Sequence, residues 1–219
     1  MKPSLLSDVL RSPETVLRTC HDDDGAQIAP TTLGAIVIAG AAFGAALGLR
    51  TSGLQMALSA IKLPLATLLT LSLAGPLLYV TAAVAGRRWR LRTVLAVMLT
   101  AGARGSLVLF AATPALLLLV MFGAGYPVVK LAAVAAYALS GRSALTVLLK
   151  SLGPAPGRLL AMVTFVGLYL IAGAQSAWVL RPYLGRPGLA PVPVLDTSRQ
   201  GVTTAVWEAA REAWSGVQR

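Results

Sequence analysis

Long uncharged runs, interrupted by a few basic residues, glycines and prolines, set the pattern of this chain. The clearest runs from Lys62 to Arg92. A basic residue and a proline open it, no charge follows from Leu63 to Gly86, and four arginines then fall within six residues, at Arg87, Arg88, Arg90 and Arg92. A membrane-spanning helix needs roughly 20 apolar residues. On that measure the runs predict spans near 31–49, 63–86, 93–123, 127–149 and 158–181. The fold class expected is all-α, a polytopic transmembrane helical bundle of about five spans with interfacial amphipathic helices at both termini. Residues 1–30 form an amphipathic N-terminal segment, 31–183 the transmembrane domain, and 184–219 a proline-rich strap and a C-terminal amphipathic helix.

Local signals refine each piece. Leu5, Leu6, Val9 and Leu10 fall at helical spacing, and Ser12-Pro13-Glu14 restarts a helix with an N-cap, a proline at the first position and an acid in the first turn. In the first span, bounded by Pro30 and Arg50, Gly40 and Gly44 make a small-xxx-small pattern that Gly48 extends. Such a face lets another helix approach closely, within the bundle or across a dimer. Residues 51–62 read as a short interfacial helix with Leu54, Ala57, Leu58 and Ile61 on one face and Thr51, Gln55 and Ser59 away from it. Pro64 then sits in the first turn of the second span, and Gly75-Pro76 predicts a kink near its middle.

The third apolar region is too long for one perpendicular span and carries Arg104 inside it. It divides into a lead-in over 91–104 and a span over 106–122, or else forms one long tilted helix. Gly123 to Pro127 is a tight turn. The fourth run is the weakest, broken by Gly141-Arg142. Thr197-Ser198-Arg199-Gln200 opens a terminal helix that gathers Val202, Val206, Trp207 and Trp214 on one side.

Composition fixes the solvent. The 219 residues are 56% hydrophobic and 12% charged, with a mean hydropathy of +0.74. A soluble domain carries about twice that charge, so this chain could not cover itself with polar groups in water. The net charge of +11 would suggest nucleic acid in a soluble protein. Here the cations cluster at the ends of apolar runs, which points to topology and anionic head groups instead, with no nucleic-acid partner. With the N-terminus in the cytoplasm, that side holds Lys2, Arg11, Arg18, the arginine quartet, Arg142, Lys150 and Arg158. Arg50, Lys62, Lys130, Arg181 and Arg186 fall on the other side, so the positive-inside rule favours N-in and an external C-terminus. Residues 1–30 lack the apolar centre of a signal peptide, so the first span is expected to act as an uncleaved signal anchor.

Few residues carry chemistry. The single cysteine excludes an internal disulfide framework. Cys20-His21-Asp22-Asp23-Asp24 matches neither a calcium loop nor a zinc site, so no metal and no cofactor are expected. No nucleophile–base pair, paired carboxylate or phosphate loop appears, which argues against an enzyme. A charge inside a span is the default functional candidate, and Arg104 comes first, as a contact for lipid or for a partner. Gln175, Trp178 and Arg181 line one side of the end of the fifth span. Trp207 and Trp214 are the corresponding contacts on the terminal helix.

Two signatures carry a resemblance. One is Lys62-Leu63-Pro64 with Gly75-Pro76 and Gly86 downstream. The other is Gln175-Ser176-Ala177-Trp178-Val179-Leu180-Arg181-Pro182-Tyr183-Leu184-Gly185. Over roughly residues 12–187 the chain resembles a group of bacterial multi-span membrane proteins related in layout to the Yip family, whose eukaryotic members bind Rab GTPases. The resemblance implies a five-span bundle in the bacterial inner membrane with a cytoplasmic N-terminus, and it implies no activity. The acidic motif of the eukaryotic members is absent, so trafficking does not carry over. The expectation is a non-enzymatic membrane subunit that anchors or scaffolds a larger complex through lipid and protein partners, or through copies of itself. The alternative is a small transporter or channel for an anionic or apolar solute.

Overall fold

Glycines, rather than large apolar side chains, decide how the first hairpin closes. In the computed structural model, which describes residues 3–11, 25–49, 53–84, 86–154, 159, 162–167 and 169–171, helix α1 spans Pro3–Arg11, α2 Gly25–Gly48 and α3 Gly53–Val84. A methyl placed on Gly48 would lie 2.6 Å from the carbonyl oxygen of Gln55, one on Gly44 would run into the carbonyl of Ser59, and one on Gly40 would meet Pro64 at 3.4 Å. The small-xxx-small ridge therefore lies against α3, one helical turn per contact, with the backbones as close as they can come. Of the two uses open to that ridge, packing within the bundle is the one adopted.

Helix α4 spans Leu91–Met121 and α5 Tyr126–Leu152. Helix α4 touches α2, α5, α3 and α1, and is the hub of the bundle. Both turns that flank it close on a glycine of positive φ, Gly86 at 77° and Gly123 at 71°. In each case the following amide reaches back five residues, Arg87 N to Ala82 O and Ala124 N to Leu119 O. This is the Schellman arrangement, which a residue with a Cβ adopts only under strain. Helical residues follow again at 162–167 and 169–171.

Four helices, Ile28–Gly48, Gly53–Val84, Leu91–Met121 and Val128–Leu152, are long and apolar enough to cross a membrane, and no strand occurs among the described residues. Among the described residues the fold is all-helical, and it fits a membrane-embedded protein. Several boundaries differ from those the sequence suggests. Helix α2 begins before Pro30, which lies inside it. Helix α3 runs unbroken from Gly53 through Pro64 and Pro76, so residues 53–62 belong to the span rather than to a separate interfacial helix. At about 1.5 Å per residue α3 is about 48 Å long and α4 about 46 Å, and Arg104 lies within a single long helix. Helix α5 continues through Gly141-Arg142 without a break.

The core has two parts. The larger joins Val9 of α1 with Ile28, Ile36, Leu71, Leu78, Val94, Val97, Val147 and Phe165. The smaller gathers Phe43, Leu47, Leu63, Leu109, Leu116, Val129 and Ala133, and the Phe43 ring meets Tyr137 edge-on at 5.7 Å. Of the two amphipathic turns expected near the N-terminus, the first is α1 with Val9 fully buried. Residues 12–24, the end of the fifth span, the strap and the terminal helix lie outside the described residues.

Candidate membrane-embedded polar and apolar sites

The first turns of α3 reverse the polarity expected from the sequence. Gln55 is 1% exposed, and Ser59 and Lys62 are 0% exposed, whereas Leu54 and Ile61 are each 58% exposed. Spaced i, i+4 and i+7, the three polar residues share one side of the helix and turn into the bundle. The amide of Gln55 donates to the hydroxyl of Ser59 across 3.3 Å, and Lys62 is likewise engaged. In water such a face would turn outward. When hydrocarbon surrounds the bundle, the apolar face is the cheap one to expose and polar groups gain by meeting each other. Lys62, expected to flank a span, is instead buried inside one. The signal available in the sequence was the close spacing of these polar residues opposite the glycine ridge.

Several other hydroxyls are held locally. Thr32, Thr67, Thr70, Thr100 and Thr113 each donate to the carbonyl four residues earlier, so they add no unsatisfied donors to the apolar interior. A bond between helices is made by Ser140. Ser140 on α5 donates to the carbonyl of Gly105 on α4 at 2.9 Å. Arg87 ties distant parts of the chain, with its Nε donating to Leu152 O at 3.0 Å and its Nη2 to Pro154 O at 3.5 Å. A cation thereby covers the open carbonyls at the C-terminal end of α5, where the helix dipole favours positive charge.

Between α3, α4 and α5 lies a partly open pocket of about 400 Å³. Thr67 and Leu71 line it from α3, Met98, Gly102 and Ser106 from α4, Tyr137, Ser140 and Leu148 from α5, and Phe165 and Tyr169 from the helical residues beyond. No extensive contact joins α3 to α5, which leaves this space open beside α4. Its size falls in the about 300–1,000 Å³ range of small-molecule sites, and a mostly apolar wall with a few hydroxyls is the usual lining of one.

Among the site residues expected from sequence, Arg104 is the one the structure describes. It is half-buried on α4, and its Nη1 is enclosed with no acceptor among the described residues. Helix geometry puts Arg104 on the side of α4 away from the pocket residues Gly102, Gly105 and Ser106. Gln175, Trp178, Arg181, Trp207 and Trp214 lie outside the described residues. No group of three metal-ligating side chains occurs among the described residues. Comparison with protein-family models, curated proteins and solved structures returns no match.

Proposed function

We propose that this chain is a non-enzymatic integral membrane subunit whose helical bundle anchors or scaffolds a larger membrane assembly. The observation that carries this reading is the closure of the α2–α3 hairpin on Gly40, Gly44 and Gly48, with the buried polar residues of α3 turned inward beside it. A hairpin with no room for one methyl group at Gly44 suits a fixed platform better than helices that must slide or rock. The arginine quartet and Lys150 gather at one end of the bundle, near the Arg87–Leu152 tie, which favours that end on the cytoplasmic side. With residues 158–181 as a fifth span, the C-terminal segment then falls outside the cytoplasm. Purification from native membranes in mild detergent, followed by native mass measurement, tests the reading. A stoichiometric complex is expected. A chain that is monomeric under all such conditions would overturn the scaffold role.

The apolar pocket favours a second reading, a carrier for an apolar solute. If Ser106→Trp fills the pocket and abolishes solute movement across vesicles that hold the protein, that reading replaces the first.

A further inference from the structure

Four helices meet at one height in the bundle. A methyl on Gly102 would reach Leu71 Cδ1 at 2.6 Å and Ile36 Cδ1 at 3.1 Å, and the Ser140–Gly105 bond brings α5 to the same level. Arg104 stands there, about 20 Å along α4 from Leu91 and about 26 Å from Met121. Exposed apolar residues continue on both sides of this height along α3. Leu73, Tyr79, Val80 and Val84 lie towards one end, and Leu54, Ile61, Leu65 and Leu69 towards the other. Apolar surface therefore extends beyond Arg104 in both directions, which favours a guanidinium within the hydrocarbon rather than at the head-group level.

A permanently charged group at that depth requires a counter-charge. Asp8 in α1 is the single carboxylate among the described residues. The other acids, Glu14, Asp22, Asp23, Asp24, Asp196, Glu208 and Glu212, all fall in sequence outside the apolar runs, so the runs themselves carry no acid that a second copy would bring to Arg104. A lipid phosphate would have to leave the head-group layer to reach it.

The surface around Arg104 has a definite shape. Thr93, Val97, Thr100, Arg104, Ala111, Ala115 and Leu118 share one side of α4. The first three are buried, while Ala111, Ala115 and Leu118 are exposed. One end of this side is thus covered by the protein itself, and the other presents two small residues a turn apart, the spacing that permits close approach of another helix.

We infer that the outward face of α4 docks a transmembrane helix of a different protein, one that carries a carboxylate at mid-membrane, with Arg104 as its counter-ion and Ala111 and Ala115 as the point of closest approach. This inference rests on the scaffold reading and names the chemistry of its partner.

The test uses the full chain in phosphatidylcholine vesicles at mildly alkaline pH, with energy transfer reporting association. The probes are two synthetic Leu/Ala helices identical but for a central Glu or Gln. The Glu helix should associate about fivefold or more tightly than the Gln helix, the scale of a polar contact between helices in lipid. Arg104→Gln should erase the preference and Arg104→Lys should keep most of it. Replacing both Ala111 and Ala115 with Ile should weaken both helices. Equal association of the two helices with the unmodified chain, a measurement that needs no variant, overturns the inference. So does a preference that survives Arg104→Gln in a protein with unchanged thermal unfolding, or one that added phosphatidylglycerol removes. A failed helix preference with an intact native complex sinks this inference alone, whereas a monomer from native membranes sinks the scaffold reading.

Discussion

The hydroxyl of Ser140 donates to the carbonyl of Gly105 across 2.9 Å, and this bond fixes two long helices at a common height. The Gly105 carbonyl belongs to the interior of α4, so Ser140 supplies it with an extra donor and leaves the α4 ladder in place. Ser140→Ala should destabilise the protein by about 0.6 kcal/mol, the typical value of such a bond in lipid. Thermal unfolding in detergent would register the change, and an effect above about 2 kcal/mol would mean that Ser140 holds more than this carbonyl.

The α2–α3 contact should be far less forgiving. A Cβ at Gly44 meets backbone, the Ser59 carbonyl and Ala60 Cα, which no rotamer change can move aside. Gly44→Leu is expected to cost about 3 kcal/mol or more through overpacking and to block folding in many preparations. Gly141→Ala makes the matching control. Nothing lies within 4 Å of its added methyl, so it should be neutral or stabilise α5 by about 0.5–1 kcal/mol.

Arg87 and Arg88 adjoin in sequence but should behave differently. Arg87 covers the Leu152 carbonyl, while Arg88 is exposed. Arg87→Ala should lower amide protection over the last turn of α5 by about tenfold, the equivalent of roughly 1.4 kcal/mol. Arg88→Ala should leave it unchanged. Hydrogen exchange read by mass spectrometry separates the two, and equal effects would show that charge at this end matters rather than the tie.

The reversed polarity at the start of α3 can be probed by spin labels on single cysteines in a cysteine-free background. Labels at positions 54 and 61 should be mobile and accessible to oxygen dissolved in the bilayer. Labels at 55 and 59 should be immobile and protected, or should disrupt the fold. Polar relaxation agents reaching 55 and 59 instead would place that face in water.

How much of this was legible in the sequence depended on what each residue type can signal. Membrane-crossing helices were legible because length and apolarity alone decide them, and the turn at Gly123 because glycine there answers a backbone need. The ridge at Gly40, Gly44 and Gly48 was visible as a close-packing face, but its partner was not, since small residues suit any neighbour. The break expected at Lys62 failed because proline and lysine carry two meanings. Pro64 can open a helix or be tolerated within one, and Lys62 can mark a span's end or be engaged in its interior. The inward turn of Gln55 and Ser59 was misjudged by applying the polarity of water to a stretch that continues an apolar, membrane-length helix. The pocket left no signature, because it arises from the poor contact between α3 and α5 rather than from any residue.

The tie between Arg87 and α5 also has a direction in time. Its donor is made 65 residues before its acceptor at Leu152, so during synthesis the arginine emerges while the helix it will complete does not yet exist. For that interval the guanidinium lacks the carbonyls it will cover. Once α5 arrives, the same charge is drawn into the bundle as the clasp that joins its second hairpin to its first. A chain stopped before Leu152 would therefore leave the clasp open, with Arg87 lacking the acceptor it holds in the folded bundle.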